Sequence, residues 1–228
     1  MIIAIDGPAG SGKSSVARII ARKLHYNHID TGAMYRAVAW KARQQGIDLN
    51  QEDAVCRVAE DIRIELVPRP EGQQVLVDGE NVTGQLQNEW VGRGAATVAG
   101  LGRVRKTLVA KQQEIGKNGD VVMDGRDIGT VVFPHADLKF FLDADPRERG
   151  KRRYLELKEK NPEIDLDTTI EQVQQRDHED RNRKVSPLKP ADDAILLDTT
   201  HLNIDQVVTQ VMNRIQANQN HKNFINRK

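Results

Sequence analysis

The stretch Gly7-Pro8-Ala9-Gly10-Ser11-Gly12-Lys13-Ser14 constrains this chain more than any other. Its spacing is that of a phosphate-cradling loop: Gly, four residues, Gly, Lys, then Ser or Thr. Its flanks supply the context such a loop requires. Ahead of it, Ile2-Ile3-Ala4-Ile5 is a continuous apolar run that meets Asp6, as in a strand buried on both faces. Behind it, Val16, Ile19, Ile20 and Leu24 fall at helical spacing, with Arg18, Arg22 and Lys23 gathered late. Glycines let the backbone curl so that successive N–H groups face one anion, and the helix adds the positive end of its dipole. Lys13 contributes a point charge for β- and γ-phosphates, and Ser14 a hydroxyl suited to Mg²⁺. The expected triphosphate-binding set is Gly7, Pro8, Ala9, Gly10, Ser11, Gly12, Lys13, Ser14 and Ser15.

Strand followed by helix recurs along the chain, which predicts an α/β fold with a parallel sheet. Asn27 to Asp30 reads as a second strand and Ala33 to Gln45 as a helix closed by Gly46. The middle changes character. Asp61 to Pro68 alternates, Pro70-Glu71-Gly72 is a turn, Gln74 to Asp78 alternates again, and Asp78-Gly79-Glu80 turns once more. That is a small antiparallel meander inserted in the alternation. Helices over Glu89 to Ala99 and Arg103 to Ile115 follow, then apolar strands over Asp120 to Met123 and Leu138 to Leu142. Pro146 to Lys160 and Leu166 to Arg183 are charged helical segments around Asn161-Pro162-Glu163. Ala194 to Leu197 is the last strand and Asp205 to Ile215 the last helix, with a polar tail from Gln216 expected to fray.

Composition removes several classes. With 34 Lys and Arg against 33 Asp and Glu the formal charge is +1, unlike a protein that binds nucleic acid by bulk charge. Even Asp145 to Lys184, basic at first glance, is balanced. The lone Cys56 forms neither an internal disulfide nor a cysteine zinc site, and no apolar run approaches a membrane span. A soluble cytoplasmic domain is the expectation.

Val121-Val122-Met123-Asp124 is an apolar strand that ends in a carboxylate. Three roles are open to Asp124: holding Mg²⁺ through water, orienting a substrate, or capping a turn. Its successor, Gly125-Arg126-Asp127-Ile128-Gly129, puts Arg and Asp on a glycine-flanked loop at the carboxyl edge of the sheet, where ligands of open α/β folds bind. The Asp-x-x-Gly switch and Asn-Lys-x-Asp reader of a GTPase are not in the expected places. His135 and His178 lack metal-ligand spacing and receive no role.

Asp30-Thr31-Gly32-Ala33-Met34-Tyr35-Arg36, Asp124-Gly125-Arg126-Asp127-Ile128-Gly129-Thr130-Val131-Val132-Phe133-Pro134 and the segment Arg176-Asp177 through Asp180-Arg181-Asn182-Arg183 join the loop in one resemblance. From end to end the chain resembles the bacterial cytidylate kinases. The resemblance implies a nucleoside monophosphate kinase fold: a five-stranded parallel sheet flanked by helices, a small antiparallel sheet inserted in the monophosphate-binding domain, and a short lid. Residues 1–30, 118–145 and 184–228 would form the core, 31–117 the monophosphate-binding domain, and 146–183 the lid and its charged helices.

It also implies transfer of the γ-phosphoryl group of ATP to CMP or dCMP, with Mg²⁺, in a cytoplasmic monomer that engages neither nucleic acid nor membrane. Thr31 and Arg36 meet the acceptor, whose phosphate Arg36, Arg105 and Arg126 bind. Asp127 and Arg176 read the cytosine or its surroundings, Asp180 the sugar hydroxyls, and Arg183 the transferring phosphates or the sugar. Arg152 and Arg153 cover the donor phosphates. Lys13, Arg126, Arg183, Arg152 and Arg153 form the catalytic set, and Ser14 ligates Mg²⁺ with Asp124 behind a water. Guanidinium forks suit a doubly charged phosphate, and an exocyclic amine needs an acceptor such as Asp127.

Two positions depart from the family pattern: Ala96 stands where a serine helps recognise the base, and Gln87 replaces an arginine of the insert. Thr97 is the neighbour available to compensate. The alternatives are a kinase of UMP, AMP or another small acceptor, a nucleic-acid-stimulated ATPase, and a binding module without turnover.

Overall fold

In the computed structural model, which describes residues 1–69, 72–159 and 161–225, the last five as backbone alone, the apolar run ahead of the glycine loop is the central strand of a parallel sheet. This strand, β1 (Ile2–Asp6), leads through the loop into α1 (Lys13–Leu24). Then come β2 (Asn27–Asp30), α2 (Thr31–Gln44), α3 (Glu52–Asp61), β3 (Ile64–Arg69), β4 (Gly72–Val77), β5 (Glu80–Asn81), α4 (Glu89–Gly100) and α5 (Gly102–Gly116). The chain closes with β6 (Val121–Gly125), β7 (Leu138–Asp143), α6 (Pro146–Lys158), α7 (Leu166–Asn182), β8 (Ile195–Asp198) and α8 (Ile204–Ile225).

The large sheet runs β2-β6-β1-β7-β8, parallel throughout, and β3-β4-β5 form a separate antiparallel sheet. Successive side chains of a strand face opposite sides. Ile3 and Ile5 therefore pack with Val122, Phe140 and Leu142 under α1 and α8, against Val16, Ile20, Val211 and Ile215. Ala4 faces the other way with Ile29, Met123, Ile128 and Val132. The insert has its own core, where Met34, Val38, Val55, Val75, Val77, Val91 and Leu108 meet. Each fully buried aliphatic side chain contributes about 1.5–3 kcal/mol.

Several elements differ from the sequence expectation. Helix α3 was not anticipated: its buried residues Val55, Cys56, Val58 and Ala59 crowd one face of a short, otherwise charged segment. Helix α2 begins at Thr31 rather than Ala33, because its first turn is Thr31-Gly32, weak helix formers that apolar spacing does not reveal. Helix α8 continues to Ile225 instead of fraying from Gln216. After the packed turns that end at Ile215, no Gly or Pro interrupts it, and propagation is far easier than nucleation. The expected turn residues Pro70 and Glu71, and the helix end at Lys160, lie outside the described residues.

The charged pair α6 and α7 is capped as its sequence suggests. Asp145 accepts from the Arg147 and Glu148 amides at 2.9 and 3.2 Å with Pro146 next in line, and Asp165 accepts from the Thr168 amide at 2.8 Å.

Candidate active site

Three strands deliver carboxylates to one edge of the sheet. Asp30 of β2 lies in register with Asp124 of β6, and Asp6 of β1 with Gly125. Asp6 accepts the amides of Ile128 and Gly129, each at 2.8 Å, and so ties the loop after β6 to the start of the glycine loop. Burial, only partly opposed by those two amides, pushes its pKa up to about 7. The loop beyond Asp127 winds into a wide turn over Ile128–Val132.

The glycine loop is backed by α6. At Gly10, φ is +74°, and a Cβ there would lie 2.6 Å from the Arg149 carbonyl oxygen, so glycine is required for both conformation and space. Lys13 bends back to donate to the Pro8 carbonyl at 3.1 Å. Burial first, then the charge of Arg126, lowers its pKa to about 7 against the pull of Asp124 and Asp30. The Ser14 hydroxyl donates to Asp124 Oδ2 at 2.5 Å, and the buried Ser11 hydroxyl has no hydrogen-bond partner among the described residues. The other Asp124 oxygen meets His28 Nε2 at 2.7 Å, and its backbone carbonyl accepts from Thr31 Oγ1 at 2.8 Å. Burial lowers the His28 pKa, but the hydrogen bond and charge of Asp124 outweigh it and leave the ring above its ordinary value.

A cavity of about 750 Å³ opens from this loop and is lined by nearly every cation that the sequence singled out. The structure sorts them into two groups. Around Lys13 stand Arg36, Arg126 and Arg176. Arg36 pairs with Asp30 at 2.6 Å and Arg126 with Asp180 at 2.9 Å. Burial raises the Asp30 carboxyl, but Arg36 overrides it and holds the group below its usual range. Arg176 has an unpartnered Nε, and burial together with Arg126 brings its pKa down to about 10.

At the deeper end Arg105, 2 % exposed, forks onto Asp127 at 2.6 and 3.2 Å and lies over the Tyr35 ring at 5.3 Å. Burial pushes the Tyr35 hydroxyl up to about 12. Asp180 joins the two groups, since its second oxygen takes Arg183 Nη1 at 3.3 Å while Arg183 Nη2 has no partner among the described residues.

Arg105 thus stands with Asp127, a residue expected at the base, and Arg176 stands beside Arg126, a residue expected at the acceptor phosphate. Helical spacing explains half of it: Arg176 and Asp180 are four residues apart on α7 and share the face toward Arg126. Arg105 is drawn down by Asp127, which it neutralises where water cannot.

Other residues are placed as follows. Arg152 reaches Thr199 Oγ1 at 3.1 Å and the carbonyls of Thr199 and Thr200, at 2.5 and 3.2 Å, while Arg153 pairs with Glu156 at 2.9 Å; both line the cavity. Gly92, Ala95, Ala96 and Ala99, at helical spacing on α4, form one wall beside Gln87. Thr97 is exposed and lies off that wall.

Sequence reasoning missed Arg149, the largest fully buried side chain, which donates to the carbonyls of Ala144 and Ala9 at 2.9 and 3.2 Å and pairs with Asp177 at 2.5 Å. It also missed His28. The alternation of β2, which puts His28 and Asp30 on one face, was the available signal.

Against known proteins, the family described as cytidylate kinase matches residues 3–217. A cytidylate kinase of Pseudomonas savastanoi pv. phaseolicola is 45 % identical over 216 residues, 94 % of each chain. One from Bacillus velezensis is 48 % identical over 214 residues, 94 % of this chain and 96 % of its own. Among solved structures, a protein from Eubacterium ventriosum aligns with a TM-score of 0.50 at 13 % identity, covering 95 % of this chain and 98 % of its own, a likeness of fold alone.

Proposed function

The chain belongs to the cytidylate kinase family and is an ATP-dependent kinase of CMP or dCMP; from that premise we infer how its residues divide the work. The donor triphosphate occupies the glycine loop from Gly7 to Ser15. The acceptor phosphate lies among Arg36, Arg126 and Arg176, and its base reaches Arg105 and Asp127. What carries this reading is the single cavity that runs from the loop to the Arg105–Asp127 pair, with surplus positive charge at the loop end.

An acceptor phosphate oxygen attacks the γ-phosphorus in line. The new P–O bond forms as the bond to the β–γ bridging oxygen breaks, and its electron pair leaves on ADP. No covalent intermediate and no strong base are required, so positioning and charge stabilisation supply the rate. Lys13 and the three arginines follow charge as it moves toward the leaving oxygens. The Asp127 carboxylate keeps lone pairs beyond those that Arg105 uses and accepts from the exocyclic amine of cytosine. Asp180, between the phosphate and base groups, lies where the sugar hydroxyls would fall. Arg152 and Arg153 on α6 close over the donor and exclude water.

Hard oxygen donors at Ser14 and Asp124 suit Mg²⁺. Ser14 would ligate the ion directly and Asp124 through water, and the bound ion neutralises donor phosphate charge. The near-balanced formal charge of +1 gives the protein no bulk attraction for nucleic acid, and the cytoplasmic monomer that its resemblance implies remains part of the proposal. Among the described residues no helix is long and apolar enough to cross a membrane.

The test is ADP release from Mg-ATP with CMP, dCMP, UMP, AMP and GMP, and a Lys13→Ala control. CMP and dCMP are expected to dominate by orders of magnitude, and the control to lose turnover. Equal turnover with UMP would overturn the assignment of Asp127 to the cytosine amine.

A further inference from the structure

His28 belongs to none of the loop motifs, yet it holds one oxygen of the carboxylate at their centre. Register pairs His28 with Val122 and Asp30 with Asp124. The imidazole thus reaches diagonally, from the neighbouring strand and on the same sheet face, to close a 2.7 Å contact from Nε2 to Asp124 Oδ1. Asp124 is 1 % exposed, and its second oxygen accepts from Ser14 at 2.5 Å. An ionised carboxylate only accepts, so both partners donate: the imidazole N–H to one oxygen, the serine hydroxyl to the other.

This arrangement has a directional consequence. A serine whose O–H is directed at Asp124 turns only lone pairs to the interior of the glycine loop, which is the orientation a metal ligand needs. Aspartate χ2 is broad when nothing fixes it. With Ser14 alone as an anchor the carboxylate would rotate, and the hydroxyl would be free to turn its proton toward the phosphates. We propose that His28 is a positioning residue of the transfer site. It fixes the Asp124 carboxylate so that Ser14 presents an oxygen lone pair to the divalent cation of the donor nucleotide. His28 touches neither nucleotide and acts through Asp124. The proposal rests on the reading of Ser14 and Asp124 as the metal side of the site.

The bland role for His28 is to satisfy a buried carboxylate. Its loss would then lower stability and leave metal affinity per folded molecule unchanged. The experiment separates the two by following Mn²⁺, as a paramagnetic probe, binding to the full-length enzyme with ADP, alongside steady-state kinetics with Mg-ATP and CMP. His28→Leu removes the donor at similar volume, His28→Gln keeps an N–H at comparable reach, and Ser14→Ala controls the site itself.

Loss of an outer-shell partner typically costs a metal site 10–100-fold, so His28→Leu is expected to weaken Mn²⁺ binding by about 10-fold and raise the KM for Mg-ATP similarly, with KM for CMP within about twofold and His28→Gln restoring most of the loss. Should His28→Leu fail to fold, His28→Asn, whose donor is too short, is expected to show the same Mn²⁺ deficit. Wild-type Mn²⁺ affinity in the folded variant, or a deficit that His28→Gln does not relieve, overturns the proposal. If Ser14→Ala weakens Mn²⁺ binding and His28→Leu does not, only the role of His28 fails. If Ser14→Ala binds Mn²⁺ like wild type, the reading of the metal side fails with it.

Discussion

Replacing Arg149 by methionine should destabilise the enzyme in a way that depends on pH. The guanidinium is 1 % exposed and joins three parts of the chain: the glycine loop through Ala9, the start of α6 through Ala144, and α7 through Asp177. Methionine keeps most of the volume and none of the donors. Asp177 already sits above its ordinary pKa because burial outweighs Arg149, and in the variant it loses its nearest opposing charge. Removing one member of a buried pair costs about 3–5 kcal/mol. A ceiling follows from protonation: an orphaned carboxyl can take up a proton, which at pH 7 costs about 4 kcal/mol from an ordinary pKa near 3.9. For a chain of this size each kcal/mol lowers Tm by about 2–4 °C, so a fall of roughly 6–16 °C is expected in scanning calorimetry.

The sign of the pH effect is fixed. A folded-state pKa raised above the unfolded one stabilises at low pH, and that contribution is lost as pH rises through it. The deficit of Arg149→Met should therefore shrink as the pH falls from 7 to 5, because the orphaned Asp177 takes up a proton more readily than the paired one. Removing both charges, in Arg149→Met with Asp177→Leu, should recover most of the loss. A variant within about 2 °C of the parent at pH 7, or a deficit equal at both pH values, would refute the reasoning.

Three further outcomes are expected. Lys13, with its pKa near 7, should gain a proton when a non-hydrolysable Mg-ATP analogue binds at pH 8; calorimetry in buffers of different ionisation enthalpy should show uptake approaching one proton, and less with CMP present, while buffer-independent heats would count against it. Asp127→Asn should raise the KM for CMP at least about 10-fold and leave that for ATP nearly unchanged, since a buried hydrogen bond to a charged group is worth about 1.5–3 kcal/mol. Ala96→Ser, on the cavity wall, should increase the ratio of kcat/KM for CMP over UMP, and an unchanged ratio would show that this wall does not read the base.

How much of this was legible in the sequence depends on where each residue finds its partner. The glycine loop and the strand ending at Asp124 could be read directly, because their chemistry is contiguous and their apolar runs mark strands buried on both faces. The insert showed through the alternation of β3 and β4, but α3, caught between two polar stretches, did not. Asp6, His28 and Arg149 were opaque for another reason. Their partners lie 122, 96 and 28 residues away, for Ile128, Asp124 and Asp177 respectively, and nothing local marks a side chain whose function is to hold another. The surroundings of Arg105 and Arg176 were hidden for the same reason. Motif position gives the residue type, whereas burial against Asp127 decides which arginine is neutralised.

That distinction bears on how the cavity works. Arg36, Arg105, Arg126 and Arg183 each meet a carboxylate, so their forks are held in place before any nucleotide arrives. Orientation already fixed need not be supplied by binding energy, which is the advantage of a preorganised site. Among the described residues Lys13 and Arg176 pair with no carboxylate, and both have pKa values lowered by burial and by the charge of Arg126. They are the uncompensated positive charge that two incoming phosphates relieve. Because Arg126 and Arg176 both depress Lys13, a CMP phosphate that neutralises them raises the protonated fraction of Lys13. CMP should then strengthen ATP binding and, by linkage, ATP should strengthen CMP binding by the same factor. The coupling should vanish below pH 6, where Lys13 is already charged in the empty enzyme, and it should grow as pH rises through about 7.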